Sequence, residues 1–152
     1  MNHLLLFTLE HDYTLETGIS VKGFHSFKDA NGKVVAEIHP DGCITVFAGY
    51  TWDGASPKFR IKNKVYGTWD GYIVHDTFGS DLSRLFEDGE PQLYYPTLIH
   101  DLLYRHLHQS PYSRRQADQL FLNMMREVGF KYAKAYYLAV RWLGGVYMRL
   151  SR

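Results

Sequence analysis

The chain has a single cysteine, Cys43, among 152 residues. No internal disulfide can form, and a cysteine-based zinc site is excluded. It also has little net charge, formally +1, which is too balanced to attract nucleic acid through its overall field, and no nucleic-acid partner is expected. Long hydrophobic runs are missing as well. Leu4-Leu5-Leu6-Phe7 is followed by Glu10 and Asp12, which is far too short for the apolar region of a signal peptide and reads as a strand. Nothing approaches the roughly 18 apolar residues of a membrane span. A soluble or at most peripheral protein is expected, with no signal peptide and no transmembrane segment. There is no internal repeat, low-complexity tract or linker. The composition, 45% hydrophobic and 16% aromatic, supports a buried core within one domain spanning 1–152.

The texture changes along that domain. Up to about residue 50 it is β-like. Leu6 to Leu9, Tyr13 to Leu15 and Ile19 to Val21 read as short strands. Asn31-Gly32 and Asp41-Gly42 sit between strand-like runs and signal two-residue type I′ hairpins. Residues 51–95 are rich in glycine, aspartate and aromatics without a sustained period and read as irregular. From Pro96 to 152 the pattern is helical. Leu98, Leu102 and Leu103 mark a first helix ending at Ser110-Pro111. Ser113 caps a second helix whose buried stripe is Ala117, Leu120, Phe121, Met124 and Val128, with Gly129 as its stop. A third helix, roughly Lys131 to Leu150, places Tyr136, Val140, Leu143 and Tyr147 on one face. The expected fold class is α+β: an N-terminal antiparallel β meander packed on a C-terminal three-helix bundle.

The chemistry-bearing residues lie in the helical region. On a helix, His100 and Tyr104 are four apart and Asp101 and Tyr104 three apart, so they can share a polar edge. His100 and Asp101 themselves point about 100° apart, which lets one face a water and the other a metal. Asp118, on the second helix at the edge of its apolar stripe, is placed to orient the imidazole. Two readings stay open. In one, His100, Tyr104 and Asp118 form a buried polar network that fixes helix packing. In the other, the same contacts hold a general base whose free ring nitrogen carries a water.

Other positions are less specific. Trp52-Asp53-Gly54-Ala55-Ser56-Pro57 reads as a turn, in which Asp53 is a candidate further metal ligand and Ser56 a candidate polar lining group. His75-Asp76 is a second pair, read as a strand-to-loop junction. His106 and His108 read as surface residues near a helix end. Arg114 and Arg115 occupy the first turn of the second helix, where positive charge is disfavoured, so they are candidate anion contacts or carboxylate partners. The last helix mixes Lys and Arg with Tyr132, Tyr136, Tyr137, Trp142 and Tyr147, a pattern of a core wall or of a helix lying at a lipid surface.

On these motifs the chain resembles a phage- and prophage-encoded family of unknown function. The residues that carry the resemblance are Asp53-Gly54-Ala55-Ser56, then His100-Asp101-Leu102-Leu103-Tyr104, then Arg114 through Phe121, then Ala139-Val140-Arg141. It implies a phage context, either a virion component with other virion proteins as partners or a factor in the host cytoplasm. More distantly, the His-Asp-x-x-Tyr and Ala-Asp-x-x-Phe helices are similar to phospholipase A2 of the viral capsid type. That similarity implies a metal-assisted hydrolase of lipid or other esters, with a phospholipid surface as partner. His100 would be the base, Asp118 its orienter, Tyr104 a partner of Asp118, and Asp101 a ligand to calcium. The calcium loop of that family departs here: residues 87–93 carry one glycine, and Gly49 to Gly54 is the available substitute. The competing class is a non-enzymatic phage protein in which the network is structural.

Overall fold

Two turns closed by glycine fold the N-terminal half onto itself. The computed structural model describes residues 7–52, 58–61, 64–67, 79–81 and 93–150. Within them the strands are β1 (Phe7–Thr8), β2 (Tyr13–Glu16), β3 (His25–Lys28), β4 (Val34–Ile38), β5 (Cys43–Val46), β6 (Thr51–Trp52), β7 (Lys58–Ile61), β8 (Lys64–Gly67) and β9 (Gly79–Asp81). The helices α1 (Tyr94–Arg105), α2 (Arg114–Glu127) and α3 (Ala133–Leu150) follow. The protein is therefore α+β, with antiparallel strands before the three helices.

The hairpin positions agree with the sequence reading, but the turn type differs. The Gly32 amide donates to the Asp29 carbonyl at 3.0 Å and the Gly42 amide to the His39 carbonyl at 2.9 Å. Each glycine is thus the fourth residue of its turn, with φ of 79° and 91°. Pro40 then occupies the second position, which its fixed φ suits. The Asp29 carboxylate reinforces the first turn by accepting from the Asn31 and Lys33 amides.

β2, β5, β4 and β3 form one antiparallel sheet in that spatial order. β3 to β5 are the expected meander, whereas β2 returns to lie beside β5 in a Greek-key arrangement. Register places Phe27, Ala36 and Val46 in one cross-strand row and Ile38 and Ile44 in the next. These side chains are buried together with Leu98, Ile99, Leu102 and Leu103 of α1. Each of these side chains larger than alanine contributes about 1.5–3 kcal/mol by leaving water, so this row-on-helix contact fixes where α1 lies. The opposite face is polar, and Thr14 and Thr45 pair across it at 3.0 Å.

Ile19 to Val21 is not a strand. The Thr17 hydroxyl donates to the Gly42 carbonyl at 2.7 Å and the Tyr112 hydroxyl donates to the Ile19 carbonyl at 2.8 Å. Those bonds tie the segment to the β4–β5 turn and to the α1–α2 connection. The middle of the chain is more regular than its composition suggests, because β7, β8 and β9 form a three-stranded antiparallel sheet.

The helices begin and end for visible reasons. α1 starts two residues before Pro96, at Tyr94. Pro96 therefore still lies in the first turn, where backbone N–H groups have no helical acceptor. α1 stops at Arg105 and the chain continues as turns to Ser110. α2 is capped by Ser113, whose hydroxyl accepts from the Gln116 amide at 3.1 Å while Gln116 Oε1 accepts from the Ser113 amide at 2.9 Å. Its other end closes on Gly129, at φ 74°, with the Gly129 amide on the Arg126 carbonyl and the Phe130 amide on the Met125 carbonyl. This Schellman closure turns the chain into α3. There Tyr136, Tyr137 and Val140 pack on a second cluster of Leu93, Phe121, Leu122, Met125, Phe130 and Ala133.

Candidate functional site

Asp118 is completely buried, at 0% exposure, and all three helices bring donors to it. From α1, His100 Nε2 lies 2.8 Å from Asp118 Oδ1 and the Tyr104 hydroxyl donates to the same oxygen. From α3, the Arg141 guanidinium donates to Oδ2 at 2.8 Å. From its own helix, Arg114 reaches Oδ2 at 3.6 Å and also donates to the Val140 carbonyl. A buried carboxylate is costly unless donors and cations meet it, and here they do. Burial pushes the Asp118 pKa up, but the bonds from His100, Tyr104 and Arg141 outweigh it and hold the group below its ordinary value. Tyr104 is driven the other way, chiefly by burial and then by the adjacent carboxylate, so its hydroxyl keeps its proton.

The contact defines the state of His100. An ionised carboxylate only accepts, so the ring proton resides on Nε2. Nδ1 is left with its lone pair, and among the described residues no donor reaches it. The ring stacks on Phe121 at 4.4 Å and leans on Tyr104 at 4.2 Å, yet its side chain remains 14% exposed. Burial lowers the His100 pKa below the ordinary value, against the opposing pull of Asp118. The imidazole is neutral near pH 7, which is the form a general base requires.

Asp101 goes elsewhere. Adjacent to His100 but rotated around α1, it accepts from the Tyr50 hydroxyl at 2.8 Å and pairs with Arg105 at 3.1 Å. Arg105 also donates to the Thr51 carbonyl. This second network fastens α1 to the β5–β6 connection and does not include His100 or Asp118. Asp53, Ser56 and the His75-Asp76 pair lie outside the described residues. Among the described residues, no group of three or more His, Cys, Asp or Glu side chains fits a metal ion. The Asp101 Oδ2 oxygen serves a hydroxyl and a guanidinium, and calcium there would need six to eight oxygens around it.

The arginine expectation divides. Arg114 is a carboxylate partner, whereas Arg115 is exposed and makes no ion pair among the described residues. His106 is corrected: it is buried and stacks on Phe27 at 5.3 Å, because the turn after α1 lies over β3. His108 is exposed. Arg141 had no role assigned from sequence. The signal was present, since it follows Val140 on the packed side of α3, where a cation calls for an anion.

These helices are also where similarity to known proteins is found. Residues 92–140 match the model of a family described as protein of unknown function, DUF1353. The DUF1353-like segment runs from just before α1 into α3. It contains His100, Asp101, Tyr104, Arg114 and Asp118, stops one residue short of Arg141, and includes none of the described strands. No curated protein and no solved structure matches the chain.

Proposed function

We propose that the protein is a phage-encoded hydrolase in which His100, held by Asp118, activates water for attack on a lipid or other ester. One observation carries this reading: Nε2 is committed to a buried carboxylate, while Nδ1 of a neutral, partly exposed imidazole has no protein partner among the described residues. A water on Nδ1 would give up its proton there as its oxygen bonds to the ester carbon. Collapse of the tetrahedral intermediate breaks the carbon–alkoxy bond, and the leaving alcohol takes the proton back from Nδ1. Asp118 keeps the tautomer and stabilises the imidazolium formed between the two steps. Tyr104, Arg114 and Arg141 act through Asp118 and are positioning residues.

The test is ester release from short-chain and phospholipid substrates, with and without added calcium, comparing the wild type with His100→Gln. The expected result is a loss of at least about 100-fold, the range for removal of a general base, with cooperative unfolding retained. Equal rates in the two proteins would overturn the reading.

A second reading is supported by the saturation of Asp118. Four side chains from three helices converge on it, which suffices to explain the network as a clasp in a non-enzymatic virion or host-interaction protein. That reading expects no turnover from either protein and a loss of stability alone in His100→Gln.

A further inference from the structure

Over its described side chains, up to Trp142, the third helix is apolar on two sides, and only one of them packs on a core cluster. Tyr136, Tyr137 and Val140 face the second core cluster. Ala135, Leu138, Ala139 and Trp142, at helical spacing on the other side, are all exposed. Trp142 is 81% exposed and Leu138, one turn earlier, 46%. A helix hydrophobic all round normally has both faces covered, and a tryptophan so open to water is unusual. Lys131 and Lys134 flank the stripe and are exposed too. From Val128 to Arg152 the sequence has five basic residues (Lys131, Lys134, Arg141, Arg149 and Arg152) and no acidic one. Arg141 directs its charge inward to Asp118; the two lysines make no ion pair among the described residues.

We propose that this face of α3 docks on an anionic phospholipid bilayer, lying in the interface plane. Charge and chemistry choose that occupant. Lysines beside an acid-free apolar stripe match a negative headgroup layer, and tryptophan favours the boundary between headgroup and acyl chain. No helix among the described residues is long and apolar enough to cross a membrane, so the helix lies on the bilayer. The proposal goes beyond the hydrolase reading and does not depend on it.

The experiment is sedimentation of the full chain with vesicles of phosphatidylcholine alone or with phosphatidylglycerol added. It compares wild type, Trp142→Ala, Leu138→Ala, the Lys131→Glu/Lys134→Glu pair and His100→Gln. Expected are binding to the anionic vesicles only, weakening of about tenfold or more for the lysine pair, clear losses for each apolar truncation, and no change for His100→Gln. Because the side chains substituted in and beside α3 are exposed, the fold survives in those variants, and a thermal melt checks every variant. Absence of binding to anionic vesicles overturns the proposal, and so does binding indifferent to Trp142 and Leu138. A concentration-dependent dimer that Trp142→Ala dissociates, without vesicle binding, overturns it in favour of a second copy as the occupant.

Discussion

His100 and Asp118 meet at 2.8 Å across the first two helices, and the third helix closes on the same carboxylate through Arg141. One buried charge therefore serves two ends. It draws three helices to a point, and it dictates which nitrogen of the imidazole is basic. The two roles separate by experiment because they fail in different ways: losing His100 removes the proposed base, whereas losing Asp118 leaves cations without an anion.

Asp118→Ala should lower unfolding stability by about 3 kcal/mol, the scale of breaking a buried ion pair from one side. The Tyr104 hydroxyl would lose its acceptor while buried. Arg114 and Arg141 are partly exposed and can turn towards water, which keeps the loss from being larger. Urea unfolding measures it. Arg141→Met should cost less, since three donors to the carboxylate remain.

Acid should destabilise the fold in two steps. His100 and His106 have pKa values lowered below 6.5, burial being the first cause for each. The unfolded chain therefore binds protons there before the native one does, and stability present above pH 6.5 is lost as pH falls below it. Asp118 is also lowered, from 3.8, so its contribution persists above that value and disappears on further acidification. Denaturant midpoints from pH 8 to 5 should show a slope that shrinks in His100→Gln and again when His106→Gln is added. A wild-type profile flat over that range would contradict the assignment. Hydrolysis, where present, should fall as His100 takes up its proton.

Much of this arrangement was legible in the chain because it is local. Ser113, Gly129 and the stripe from Ala117 to Met124 state a helix and both its ends within one stretch; Val128, expected in that stripe, is instead 42% exposed, because it is the C-cap residue where the chain turns away at Gly129. The four-residue spacing of His100 and Tyr104 likewise needs only helical geometry. What was not legible depends on partners far away in sequence. Asp101 could not be assigned to Tyr50 without knowing that the β5–β6 connection passes α1, nor His106 to the core without knowing that Phe27 lies beneath it. Ile19 to Val21 has the composition of a strand but bonds instead to Tyr112, a residue over ninety positions later. The glycine turns lie where the sequence places them but are of another type, since Asn-Gly and Asp-Gly also suit the last two positions of a turn whose fourth residue is itself left-handed.

Thr97, in the first turn of α1, holds Trp52, whose ring lies against Phe7, Tyr50 and Tyr94. Its hydroxyl accepts from Trp52 Nε1 at 3.1 Å and itself bonds back to the Leu93 carbonyl, all within the buried core. Thr97→Val keeps the shape but strands the indole N–H, so a loss of about 1–3 kcal/mol is expected. Near-ultraviolet dichroism at the melting midpoint should follow the same transition. A neutral substitution would mean that the indole finds another acceptor.

The two hairpin glycines should respond unequally to alanine, although both have positive φ. At Gly32 a Cβ would meet nothing within 4 Å, so Gly32→Ala carries only the left-handed backbone penalty, about 1–2 kcal/mol. At Gly42 the same atom would lie 2.5 Å from the Ile19 carbonyl oxygen and 2.7 Å from the Thr17 hydroxyl. Neither neighbour can yield freely. That carbonyl receives the Tyr112 hydroxyl, and the Thr17 hydroxyl is bonded to Gly42 itself. Gly42→Ala must therefore separate the β4–β5 turn from the segment after β2, with the Tyr112 anchor disturbed as well. Its cost should exceed that of Gly32→Ala by roughly 1–3 kcal/mol, the scale of a strained site or an unmade buried hydrogen bond. Paired chemical denaturation of the two variants decides it, and equal losses would mean that this junction gives way without resistance.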